Sequence, residues 1–147
     1  MKTKRHRTIH TPAGPAARAL LESGRTFRAL MNTTPYAILI SDRKGHFLEA
    51  NPAACRQLGY TRSELLRKKL FDIVGRDYLQ RAKHRLSAMT AEKGFMESVH
   101  RRRDGSEFPV EVSVRRTTYK GGPALLGIVK DISAEKRALS ELREREA

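Results

Sequence analysis

The chain has little cysteine, no long apolar run and none of the common catalytic motifs, and each absence removes a class of answer. Cys55 is the single cysteine, so no intrachain disulfide can form, which fits a reducing compartment. A chain of 147 residues can bury most of its apolar surface in one domain with short flanks, without disulfides or a structural metal. No stretch approaches the roughly 18–20 apolar residues of a membrane span. The opening MKTKRHRTIHTPAG is basic but leads into no apolar segment, so it does not read as a secretory signal. A cytoplasmic location is expected, with any membrane contact supplied from elsewhere. There is no glycine-rich phosphate loop, no zinc-ligand spacing and no nucleophile elbow, so the chain reads as non-enzymatic.

What it has in excess is positive charge, a formal +14. Residues 1–35 hold seven Lys/Arg and one Glu, whereas residues 121–147 hold five of each sign. The remaining excess is dispersed, apart from the cluster Arg101-Arg102-Arg103. A basic leader and one arginine-rich strand end suit solvated surface as well as they suit a nucleic-acid footprint, and aromatics are not interleaved with the charges. Nucleic-acid binding through residues 2–7 and 101–103 is the minor alternative.

The organising stretch is FLEANPAACRQLGY, Phe47 to Tyr60. Asn51 can cap the helix that follows, Pro52 suits its first position, and Gly59 suits its left-handed C-terminal cap. Thr61-Arg-Ser-Glu64 matches a capping box, which starts a second helix at once. Upstream, residues 1–15 read as a disordered basic leader, and 16–32 as an amphipathic helix with Leu20, Leu21, Phe27, Leu30 and Met31 on one face. Tyr36–Asp42 and His46–Glu49 read as a hairpin about Arg43-Lys44-Gly45. Leu70–Val74 is a short apolar run, and Arg76–Met89 reads as a helix. Phe95–Arg103, Phe108–Thr117 and Ala124–Val129 then read as strands joined at Asp104-Gly105 and Gly121-Gly122. Phe108, Val110, Val112 and Val114 alternate with polar residues, so one face of that strand is core. The run ALLGIV is apolar on both faces and predicts a central strand with something packed above it, either the 16–31 helix or a partner subunit. The expected fold is α+β: a five-stranded antiparallel sheet with helices across one face.

The segments ANPAACRQLGY-TRSELL, RRRDGSEFPVEVSV and GIVKDISAEKRALSEL, in that order, resemble the PAS domain, a sensory and interaction module of signalling proteins, over roughly Arg25 to Leu142. The resemblance implies a sensory domain at 33–132, feeding a signalling helix at 133–147 through Asp131, Ile132 and Ser133. It also implies an output domain, such as a histidine kinase of a two-component system or a cyclic-dinucleotide enzyme, and a homodimer formed through the terminal helices. Ser133 is expected to cap the exit helix. Ile132, Leu139 and Leu142 follow the spacing of a coiled-coil seam.

A small-molecule pocket between sheet and helices is expected to be lined by Ile38, Ile40, Phe47, Asn51, Ala54, Leu58, Leu65, Phe71, Ile73, Leu79, Val99, Val112, Val114 and Ile128. The competing reading makes these residues a filled core in a ligand-free dimerisation module. No cofactor or metal is assigned. PAS-like haem sensors use a histidine on the helix that carries His84, but Gln80 occupies the ligand's place. Flavin-type light sensors use a cysteine in a motif that Cys55 lacks, so Cys55 reads as a small core residue. His6, His10, His46 and His100 read as surface residues.

Overall fold

The computed structural model describes residues 15–87 and 93–147. The expected leader (apart from Pro15) and Met89 lie outside the described residues. Two units divide between Leu30 and Met31. In the first, the described residues belong to helix α1, Pro15–Thr33. Its proline stands where a missing N–H costs nothing, and Leu21, Phe27 and Leu30 are exposed.

The second unit is built on strands β1 (Ala37–Ser41), β2 (Phe47–Ala50), β3 (Lys93–Arg101), β4 (Glu107–Tyr119) and β5 (Gly122–Asp131). They form one antiparallel sheet in the order β2-β1-β5-β4-β3. The strand that is apolar on both faces is therefore the middle one, as its composition requires. The β1–β2 turn is fixed by Asp42, whose Oδ1 accepts the N–H groups of Lys44 and His46, each at 2.9 Å, an Asx-type closure.

Helices α2 (Pro52–Leu58), α3 (Arg62–Leu65), α4 (Leu70–Ile73) and α5 (Leu79–Ser87), with a 3₁₀ turn at Arg76–Tyr78, fill the connection from β2 to β3. Asn51 Oδ1 accepts from Ala54 N at 2.9 Å and from Ile38 N at 2.8 Å, and Asn51 Nδ2 donates to Tyr36 O at 2.8 Å. The capping residue of α2 is thus also its clamp onto β1. Gly59 takes φ +78° and returns its N–H to Cys55 O, a backbone that a side chain would strain. The capping box at Thr61 and Glu64 is formed.

A backbone hydrogen bond and a bridge help to fasten the helical segment to the far edge of the sheet. Gly75 N donates to Val99 O at 2.7 Å, and Val74 pairs with His100. Gly75 is buried, and a Cβ there would come within 2.8 Å of Val99 Cγ1. The core lies between the helices and the inner sheet face, with Leu58, Leu65, Ile73 and Val110 fully buried. Each contributes roughly 1.5–3 kcal/mol of transfer free energy. The last helix, α6 (Ser133–Glu146), leaves β5 directly and has no buried residue.

Candidate functional site

Between the inner sheet face and the α4–α5 segment lies a cavity of about 90 Å³. Strand alternation decides which residues reach it. Leu39 and Ser41 come from β1, Phe47 from β2, and Leu125, Gly127 and Val129 from β5. Met96, Ser98 and His100 face it from β3, and Val112 and Val114 from β4. Leu70, Val74, Ala82 and Arg85 close the helical side.

Of the expected pocket residues, the fold brings Phe47, Val112 and Val114 to this wall. Ala54, Leu58, Leu65 and Ile73 sit in the solid core beside it. Ile38 pairs with Ile128 and Ile40 with Leu126. These four alternate with the cavity-facing residues and belong to the opposite face. Phe71 and Leu79 are half-buried and Val99 packs at Gly75, none of them in the wall. Asn51 is 1% exposed, has both side-chain polar atoms engaged with backbone groups, and does not line the cavity.

His100 reverses its expected place. It is 2% exposed rather than a surface residue, and burial pushes its pKa down to about 4. Among the described residues its Nδ1 has no hydrogen-bond partner. The signal that could have placed it is the hairpin register. A turn at Asp104-Gly105 pairs Arg101 with Glu107 and His100 with Phe108, and Phe108 faces the core. Paired residues share a face, so His100 faces the core as well.

The ring of His100 stands edge-on to Phe108, with centroids 6.3 Å apart and planes at 89°. The Arg102 guanidinium lies 4.0 Å from the Phe108 centroid, within cation–π range. Arg102 Nη2 reaches Asp131 Oδ2 at 3.4 Å. Asp131 Oδ1 accepts from Ser133 N at 2.8 Å and from the Ser133 hydroxyl. Ser133 therefore does not cap α6 with its own side chain. Ile132 is the residue at the cap, and Asp131 holds the first turn. Lys136–Glu97 at 2.9 Å and Lys130–Glu135 at 3.3 Å tie the same turn to β3 and β5.

Glu49 and the arginine cluster have structural partners. Arg62 donates to Glu49 through Nε at 2.6 Å and Nη2 at 2.9 Å, and Tyr119 Oη donates to the same carboxylate at 3.1 Å. The Arg62 hydrogen bonds hold the Glu49 carboxyl below its ordinary range. The arginine cluster is engaged within the fold. Arg101 donates to Asp72 O, Arg102 reaches Asp131, and Arg103 pairs with Glu64 at 2.7 Å. Cys55 is half-buried against the core, and burial raises its thiol pKa. His84 and His46 are exposed. Among the described residues no group of three or more His, Cys, Asp or Glu is placed to hold a metal ion, and no helix is long and apolar enough to cross a membrane.

A family model described as the PAS fold matches residues 25–132. The chain belongs to the PAS family. Among solved PAS structures, the PAS domain of an HTR-like protein from Haloarcula marismortui is 29% identical, with a TM-score of 0.69 over 78% of this chain and 96% of that one. A domain of a sensory box sensor histidine kinase/response regulator from Geobacter sulfurreducens is 30% identical, with a TM-score of 0.65 over 76% of this chain and 96% of that one. A methyl sulfide methyltransferase-associated sensor from Methanosarcina acetivorans is 27% identical over 125 residues. That match takes in 84% of this chain and only 12% of the sensor's length. This PAS domain corresponds to a small part of that longer relative.

Proposed function

We propose that the chain is a sensory relay, in which occupancy of the cavity alters the start of α6 and, through that helix, an output domain such as a histidine kinase. In this reading residues 16–32 form an N-terminal coupling helix, 33–132 the sensor and 133–147 the exit helix. The observation that carries it is the unbroken run of side-chain contacts from the cavity wall to the exit helix: His100, Phe108, Arg102, Asp131, Ser133. Such a route transmits a signal only if cavity ligand and helix position favour the same one of two states. The exposure of Leu139 at 44% and Leu142 at 54% favours α6 pairing with a second copy, which gives the relay a homodimer to act upon.

A second reading rests on the opposite sheet face, where Phe95 is 65% and Ile128 41% exposed. There the domain would act as a ligand-free interaction module with the sheet as its contact surface. Native mass spectrometry with an absorption spectrum on freshly purified protein separates the two. A bound small molecule supports the relay. An empty dimer that fails to take up any small ligand on later screening favours the interaction module.

A further inference from the structure

On the cavity wall, Nδ1 of His100 is a fully buried polar atom for which the described residues supply no hydrogen-bond partner. His100 is almost wholly buried, and its Nδ1 accepts from and donates to nothing among the described residues. Leaving a buried polar atom unpaired is destabilising, a cost that phenylalanine or leucine at this position would avoid. The surrounding wall is apolar: Leu39, Phe47, Met96 and Val129, with the small hydroxyls of Ser41 and Ser98 nearby. Burial keeps the imidazole neutral at ordinary pH. Among the described lining residues Arg85 is the one cationic side chain, and it is exposed to solvent. A charged ligand would therefore lose its hydration without a buried counter-charge, which is expensive. A water molecule needs roughly 10–15 Å³ of such space, so the cavity of about 90 Å³ takes on the order of six to nine water-sized groups.

We propose that the cavity binds a small neutral molecule, apolar over most of its surface, whose single hydroxyl, carbonyl or amide group hydrogen-bonds to Nδ1 of His100. This assignment rests on the reading of the domain as a ligand sensor and adds the chemical class and the anchoring atom. The bond forms where the relay begins, because the ring that would receive the ligand is the one that abuts Phe108. An alcohol of four or five carbons has the required size and polarity.

The test is a titration of the purified chain with pentan-1-ol, butanoate and butylammonium, followed by NMR on the cavity methyl groups and on the imidazole nitrogens of His100. Pentan-1-ol is expected to move both sets of signals along one saturation curve. Butanoate and butylammonium are expected to bind about tenfold more weakly or worse. The variant His100→Phe keeps a ring against Phe108 and removes the nitrogen. It should stay folded and lose about tenfold in affinity for the alcohol, the worth of one hydrogen bond. A folded variant that binds pentan-1-ol as tightly as the parent overturns the role of His100 and leaves the cavity as a ligand site. Should the variant fail to fold, imidazole signals that stay fixed while the methyl signals move in the parent overturn that role equally. Butanoate binding more tightly than the alcohol overturns the neutral class. Failure of every probe to move the cavity methyl groups overturns the sensor reading itself.

Discussion

Arg102 reaches across from the β3–β4 hairpin to Asp131, with its Nη2 3.4 Å from the carboxylate and its guanidinium carbon 4.0 Å from the Phe108 ring centroid. A half-exposed ion pair of this kind contributes little by itself. Its interest lies in position, because Asp131 is also the acceptor for the first N–H of α6. One carboxylate thereby reads both the hairpin and the exit helix. In the proposed relay, movement of Phe108 reaches Asp131 through the Arg102 side chain rather than through the backbone of β5.

Replacing Asn51 tests the clamp between α2 and β1. Asn51→Ala leaves the N–H groups of Ile38 and Ala54 and the carbonyl of Tyr36 without their side-chain partner, and Asn51 itself is buried. A loss of roughly 2–4 kcal/mol is expected from several unpaired groups and a lost cap, measured as a lower denaturant midpoint. A loss below about 0.5 kcal/mol, the range of an ordinary surface substitution, would show that the clamp is dispensable.

Gly75→Ala tests the seam between the helical segment and β3. The new methyl would meet Val99 Cγ1 at 2.8 Å and Glu107 Oε2 at 3.1 Å, although the backbone at Gly75 has ordinary dihedrals. Overpacking of this kind costs about 1–3 kcal/mol. Thermal unfolding should occur at a lower temperature, while Gly121→Ala, which meets no neighbour, should show only the strain of its positive φ.

The buried imidazole makes stability depend on pH with a definite sign. The folded pKa of His100 lies near 4, below its ordinary 6.5, so the unfolded chain takes up the proton first as pH falls. Its contribution is fully present above about pH 6.5 and is lost as pH drops towards 4, amounting to a few kcal/mol. His100→Phe should flatten the stability curve between pH 6.5 and 4 relative to the parent. Parallel curves would show that the ring is hydrated or paired.

The helical segment was the most legible part of the sequence because its signals are local. Asn51-Pro52, Gly59 and the Thr61–Glu64 box each set a helix boundary through contacts within four residues. The alternation of β4 was equally plain, since valines face serine and glutamate across one strand. Sidedness was lost where alternation fails. In β1 and β5 both faces are apolar, so Ile38, Ile40 and Ile128 carried no mark of the opposite face. In β3 the pattern misleads, because Met96, Ser98 and His100 face inward while Phe95 faces out. The anchoring histidine was thus hidden among arginines, on the strand whose inner face is the more polar. Nor does composition reveal that Arg102 and Asp131, 29 residues apart, meet at the helix junction.

The most direct test of the relay follows the amides of Ile132 to Lys136 during titration with pentan-1-ol, in the parent chain and in Asp131→Ala. A working relay predicts that these amides shift or change their hydrogen exchange along the same saturation curve as the cavity methyl groups. In Asp131→Ala the cavity should still fill while the junction stays silent. Junction amides that remain fixed as the parent cavity saturates, or that respond equally without Asp131, would contradict it.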